Sequence, residues 1–334
     1  RYVADQQEQG LDLRVSTIPC VSGIQGEPGE KAVLRLLRQK NTFSTIDDLG
    51  FSDRAREIYK GWLKEPQGII ILTGPTGSGK TSTLYTSLQA ISTESVNIVT
   101  VEDPVEYVLP GITQIQVNET AGMTFAAGLR AILRQDPDII MLGEIRDSET
   151  AETAIRAALT GHLVLTTLHT NDAIGAIPRL KDVGPDPGLI SDSLLGVMAQ
   201  RLVRRICPHC AEPHTPNATE LKLLGLRSED VDSSKWRIGR GCSHCFNSGY
   251  LGREAIIELL HVDDGVRQLI YEGTMTQLQR YLSETAFESF RMAAIEKVQQ
   301  GITTVEEVRR VLPNNVFVRK APAENGLASI RLAV

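Results

Sequence analysis

The sequence predicts an α/β fold, a sheet with helices on its faces, flanked by a small α+β unit before it and a cysteine-rich insertion and helical region after it. Three observations predict it. From Gly68 onward short apolar runs alternate with amphipathic stretches, which is the pattern of strands and covering helices. The first such run, Ile69 to Leu72, enters Gly74-Pro-Thr-Gly-Ser-Gly-Lys-Thr81, a turn that opens a helix. Two Cys-x-x-Cys pairs, at 207–210 and 242–245, then interrupt the alternation.

The 334 residues are 41% hydrophobic, enough to bury more than one core. The most apolar runs, 68–73 and 138–142, are too short to span a bilayer, so membrane contact is expected only through partners. A net charge of −6 gives no general attraction for nucleic acid or anionic lipid. The chain starts at Arg1 rather than Met, with no charged segment ahead of an apolar run, and is expected to be a fragment.

Along the chain, Leu11 to Ile18 alternate as a strand does, Ser22 to Gly29 form a Gly/Pro-rich loop, and Ala32 to Leu37 are apolar again; residues 1–40 are the end of an α+β domain. Residues 41–67 hold a polar linker and a helix over 53–63 that closes before Pro66. The core, 68–206, has strands at 69–73, 97–102, 112–117, 138–143 and 162–168 and helices near 80–92, 124–135, 148–160 and 172–182, with 189–206 expected as a further helix. Residues 207–252 carry the cysteines and a helix at 220–224, and 253–334 are expected to be a helical region, with helices over 264–311, and a tail.

A glycine-rich turn between a strand and a helix lets backbone N–H groups converge on a phosphate, and the helix N-terminus adds partial positive charge. Here Gly74, Pro75, Thr76, Gly77, Ser78 and Gly79 form the turn, Lys80 reaches the β/γ oxygens, Thr81 offers a hydroxyl to Mg²⁺, and Ser82 follows on the helix. ATP with Mg²⁺ is the expected ligand. In such sheets the ligand sits beyond the carboxyl ends of the strands. Glu102 and Glu144 end strands at that side, and they are candidates for deprotonating water and for holding the Mg²⁺ hydration shell, with the division of roles open. His169 closes another strand there and could hydrogen-bond the γ-phosphate or the water. Arg130 and Arg134, spaced i,i+4, and Arg146 are candidates for neutralising transition-state charge or for bridges between subunits.

Cys207, Cys210, Cys242 and Cys245 suit a closed, structural tetrahedral Zn²⁺ site, while His209 and His244 inside the knuckles leave a mixed Cys/His set open. Without interleaved aromatics near Arg201, Arg204 and Arg205, the module reads as a protein-docking element rather than a nucleic-acid reader.

Taken in order, Gly74–Thr81, Thr100-Val-Glu-Asp-Pro-Val-Glu106, Leu129-Arg-Ala-Ile-Leu-Arg-Gln-Asp-Pro-Asp138, Gly143-Glu-Ile-Arg-Asp147 and Thr166-Thr-Leu-His-Thr170 closely resemble the secretion ATPase superfamily of type II secretion and type IV pilus assembly. The resemblance runs from about Leu11 to Leu312. It implies a RecA-like core behind the end of a PAS-like domain, a homo-hexamer, and work at the cytoplasmic face of an inner membrane with a platform protein and other machinery components. It also implies that Arg14 and Arg35 reach the nucleotide from the N-terminal domain. The cysteine insertion is similar to that of assembly and secretion members and is lacking in pilus-retraction members. Departures are a longer loop between Thr17 and Lys31 and the tail after Leu312. The competing expectations are a RecA-like nucleic-acid translocase with a zinc reader, and a scaffold that binds ATP without hydrolysing it.

Overall fold

The computed structural model describes residues 11–22, 27–38, 43, 45–227, 229, 231–313 and 315–318. The loop at 23–26, the tail from 319 and the side chains of Arg14 and Arg35 lie outside the described residues.

Strands β1 (Leu11–Ser22) and β2 (Glu27–Arg38) form an antiparallel hairpin whose pairing runs into the segment expected as loop. In its register Arg14 is the partner position of Arg35. Helix α1 (Asp53–Trp62) starts where the Ser52 hydroxyl accepts the Ala55 N–H at 3.2 Å, capping an otherwise unpaired donor.

The core is a sheet of β3 (Gly68–Thr73), β4 (Ile98–Glu102), β5 (Thr113–Gln116), β6 (Ile139–Leu142), β7 (Leu163–Leu168), β8 (Leu194–Ile206) and β11 (Tyr250–His261), in the order β11-β8-β3-β7-β6-β4-β5. All neighbours pair parallel except β11 with β8. Strand β3 is buried throughout because successive side chains enter opposite cores. Ile69 and Ile71 pack with α3 (Phe125–Ile132), α4 (Ser148–Leu159), α5 (Ala176–Val183) and α6 (Pro187–Ser193). Ile70 and Leu72 pack with α1 and α2 (Lys80–Ile91). This two-sided burial explains why the central strands read as continuous apolar runs.

Beyond β8 the chain forms β9 (Ala211–Pro213), α7 (Ala218–Leu224) and β10 (Arg237–Gly239), returns along β11, and ends in α8 (Asp264–Tyr271), α9 (Met275–Glu284), α10 (Phe290–Gln299), α11 (Val305–Val311) and α12 (Asn315–Val318).

Two expectations are corrected. The helix expected over 189–206 is only α6; from Leu194 the chain is β8, the neighbour of β3. The run Leu194-Leu-Gly-Val-Met-Ala has no helical or strand period, and pairing with β3 outweighs the local preference. Residues 253–261, expected to open a helical region, belong to β11 and continue the core sheet.

Gly196 shows how closely α1 lies on β8. A methyl group there would fall 2.1 Å from the Trp62 ring, whose indole N–H donates to His261 Nδ1 at 2.9 Å. Gly196→Ala should therefore overpack this contact and cost about 1–3 kcal/mol, read as a lower urea midpoint with an unchanged slope.

Candidate nucleotide site and cysteine cluster

The strands β3, β4, β6 and β7 bring their carboxyl ends together, and side-chain bonds tie those ends to one another. The Thr73 hydroxyl donates to Leu168 O at 3.0 Å and accepts the Thr170 N–H at 2.8 Å, while the Thr167 hydroxyl donates to Gly143 O at 2.7 Å. A cavity of about 1290 Å³ opens over them, lined by Thr76–Leu84, Glu102, Glu144, Arg146 and His169, by residues of β8 and β11, and by Phe43, Asp48 and Leu49.

Positive φ angles at Gly74, Gly77 and Gly79 shape the phosphate loop, a conformation that costs glycine nothing. At Gly74 and Gly79 the requirement is also steric. A Cβ would meet Gln200 O at 2.5 Å in the first case and Gln200 Nε2 at 2.7 Å in the second. Gln200 comes from β8 and closes the loop from behind. Its amide donates to Ser78 O at 2.9 Å and accepts the Thr83 hydroxyl at 2.9 Å. Lys80 Nζ lies at the mouth, donating to Gly74 O at 2.8 Å and Pro75 O at 3.3 Å. Burial lowers its pKa, Glu144 opposes that, and the nearby Arg201 adds to it.

The two carboxylates have different surroundings. Glu144 Oε1 accepts from Arg146 at 2.5 Å, and Oε2 lies 3.0 Å from His169 Nε2. Burial alone would raise its pKa. The hydrogen bond and charge of Arg146, supported by His169, prevail and hold it below the ordinary value, so Glu144 stays charged into the acid range. Arg146 also reaches Asp103 at 3.3 Å and lies over the Phe125 ring. Glu102 is 4% exposed and, among the described residues, takes only neutral donors: the hydroxyl of Tyr85, the hydroxyl of Thr100 at 2.5 Å, and the amide of Gln114 at 3.1 Å.

Of the expected site residues, Thr76 to Ser82, Glu102, Glu144, Arg146 and His169 line the one cavity, with Gly74 and Pro75 bonded to Lys80 at its mouth. Arg130 and Arg134 do not line it. Arg130 pairs with Glu149 on α4, and Arg134, in the turn after α3, donates to Arg130 O at 2.9 Å. Gln200 and Arg201 were missed. The buried Arg201 donates to Asn171 O at 2.9 Å and lies over the Phe290 ring, which braces the turn after His169. Only the glycines whose clearance Gln200 needs could have pointed to it.

The four cysteine sulfurs lie within 4.8 Å of one another, with Cys207–Cys242, Cys210–Cys245 and Cys242–Cys245 at 3.9, 3.8 and 3.7 Å. Zn–S bonds of about 2.3 Å in a tetrahedron require sulfur edges of about 3.8 Å, so the set fits zinc. Backbone N–H groups of Gly241 and Cys242 donate to Cys210 and Cys245 sulfur at 3.3 and 3.2 Å, as thiolate ligands require. His209 and His244 stack on each other at 4.1 Å and are not among the four residues of the cluster, which is made of the cysteines alone.

The phosphate loop on a buried parallel strand, with acidic and imidazole groups at the neighbouring strand ends, defines a RecA-like P-loop nucleotide-binding domain. A profile of the type II/IV secretion system protein family matches residues 2–310, and the chain belongs to that family. It is 50% identical over 301 residues to the type II secretion system protein E of Pseudomonas aeruginosa, covering 90% of this chain and 58% of that protein. It is also 50% identical over 299 residues to the type IV pilus assembly ATPase PilB of Thermus thermophilus, covering 89% and 33%. The chain thus spans little more than half of the first relative and a third of the second. Among solved structures it is similar to the pilus retraction motor PilT with bound ADP, at a TM-score of 0.62 and 29% identity over 89% of this chain and 77% of that one. The Legionella pneumophila ATPase DotB shares the fold, at a TM-score of 0.67 and 24% identity over 92% and 74% of the two chains.

Purified under reducing conditions, the chain should contain about one zinc ion, lost on Cys242→Ser and measured by elemental analysis. Gln200→Leu should leave Ser78 O and the Thr83 hydroxyl without a partner and destabilise the fold by about 1–3 kcal/mol, measured by urea denaturation.

Proposed function

We propose that the chain is the core of a hexameric ATPase motor that couples ATP hydrolysis to assembly of a type IV pilus or extension of a type II secretion pseudopilus. The carrying observation is the convergence of the phosphate loop, Glu102, Glu144 and His169 on one cavity, in a chain 50% identical to a secretion protein E and a pilus assembly ATPase.

The roles follow from the surroundings of each group. Backbone N–H groups of the loop and Lys80 hold the polyphosphate. The Thr81 hydroxyl and the Glu144 carboxylate are hard oxygen donors on the same cavity and suit Mg²⁺, the second through its water shell. When bound, Mg²⁺ neutralises charge that builds on the β- and γ-oxygens. Glu144, with its proton affinity lowered by Arg146 and His169, is poorly suited to take a proton. Glu102, held only by neutral donors, is the general base. It takes the proton of the attacking water as the water oxygen bonds γ-phosphorus and the bond to the β,γ-bridging oxygen breaks, leaving ADP. His169 connects Glu144 to the γ-phosphate position.

Arg14 and Arg35, partner positions on the β1–β2 hairpin, are assigned to the nucleotide from the N-terminal side, and Arg130 and Arg134 to contacts between subunits of the ring. The four cysteines hold a structural zinc, and the module docks onto a protein of the machinery. The motor works at the cytoplasmic face of the inner membrane and reaches it through a platform protein. Among the described residues no helix is long and apolar enough to cross a membrane.

Lys80→Ala should abolish nucleotide binding in a fluorescent-ATP titration. Glu144→Gln should keep that binding and lower turnover by roughly a hundredfold or more; near-normal turnover by Glu144→Gln would remove it from the mechanism. DNA should not stimulate the parent protein, whereas the cytoplasmic domain of the platform protein should.

A further inference from the structure

We propose that Tyr85 is a positioning residue for hydrolysis, fixing the Glu102 carboxylate from the phosphate-loop helix; the proposal rests on the reading of Glu102 as general base. Tyr85 lies on α2, which begins at Lys80, and its hydroxyl donates to Glu102 Oε2. The same hydroxyl accepts the Glu106 N–H at 3.3 Å, and the Tyr107 ring stands edge-on at 4.6 Å, so neither the hydroxyl nor the ring is free to turn. Burial first, and then the bond to Glu102, raise the Tyr85 pKa above its ordinary value, which keeps it a donor wherever the carboxylate is charged.

The arrangement determines which lone pair of Glu102 can act. A carboxylate offers about four acceptor positions. The Thr100 hydroxyl and the Gln114 amide occupy Oε1, and Tyr85 takes one position on Oε2. The remaining position is on Oε2, the oxygen that Tyr85 holds. Without that hydrogen bond the carboxylate would be held at Oε1 by Thr100 and Gln114, and the direction of the free position on Oε2 would no longer be fixed from α2.

The source of each donor adds a second consequence. Thr100 is on the strand of Glu102 and Gln114 on its neighbour β5, so neither refers the base to the nucleotide. Tyr85 does, because it shares one helix with Lys80 and Thr81. The base and the phosphate grip are thereby indexed to one rigid element and stay in register when another domain moves against them.

The test compares Tyr85→Phe, Tyr59→Phe and Glu102→Gln in the full chain, measuring steady-state ATP turnover and the affinity for fluorescent ATP. Tyr59 is the internal control. It also bonds α2 through a buried hydroxyl, to Ser87 at 2.8 Å, and does not touch Glu102. Tyr85→Phe should lower kcat by roughly tenfold to a hundredfold with the affinity unchanged to within about twofold, while Tyr59→Phe keeps the parent kcat. Parental kcat in Tyr85→Phe, with Glu102→Gln inactive, overturns the proposal alone. Equal losses of kcat in the two tyrosine variants overturn it as well, since the effect would then be packing of α2. Near-parental turnover by Glu102→Gln refutes the assignment of the base, and the proposal with it.

Discussion

The structure depends on the close approach of the phosphate loop to β8. A loop whose N–H groups all turn toward a phosphate leaves its carbonyls facing the other way, and those buried acceptors must be paired. The Gln200 side chain supplies that pairing at Ser78 and anchors the following helix through Thr83. It fits because Gly79 carries no side chain at the contact, and Gly74 gives the same clearance to the Gln200 backbone carbonyl. The glycines thus serve two surfaces, one facing the ligand and one facing β8. The strand behind the loop is also the strand that leads to Cys207, so the grip on phosphate and the cysteine module are parts of one continuous segment.

Electrostatics divide the site into two regions. Around Glu144, charged groups predominate: Arg146, Asp103 and Lys80 interact with it or with one another, and His169 completes the set. Around Glu102 the contacts are neutral hydroxyl and amide groups. Two carboxylates that line one cavity are therefore given different surroundings, a charged guanidinium and an imidazole at Glu144 and neutral donors at Glu102.

The sheet was legible where burial imposed a pattern. The runs at 69–73 and 163–168 could hardly be anything but central strands, and the loop between β3 and α2 announced its chemistry through residue types in fixed order. Strand β8 was not legible because its apolar residues have no period, and β11 because it pairs with β8 rather than with a sequence neighbour. At the site, strand-end residues such as Glu102, Glu144 and His169 could be placed from the sequence. Gln200, Arg201 and Tyr85 could not, since each acts through a partner far away in the chain or on another element. Arg130 and Arg134 were expected on one helical face, but α3 ends at Ile132 and leaves Arg134 in the turn beyond it, and spacing says nothing about the partner of Arg130, which is Glu149. Arg14 and Arg35 came from family resemblance alone.

The two margins of the core sheet are limited in different ways. On one side β5 is four residues long and polar at three of them, and on the other the Leu259 N–H of β11 is already taken by Glu288 O at 2.9 Å. Long unpaired margins invite augmentation by another chain, and short or covered ones do not. At β5 and around Leu259, contacts made through side chains and loops are favoured over a shared hydrogen-bond ladder. Contacts of that kind can slide and rotate without breaking a row of backbone bonds, so movement at such a joint leaves the sheet intact.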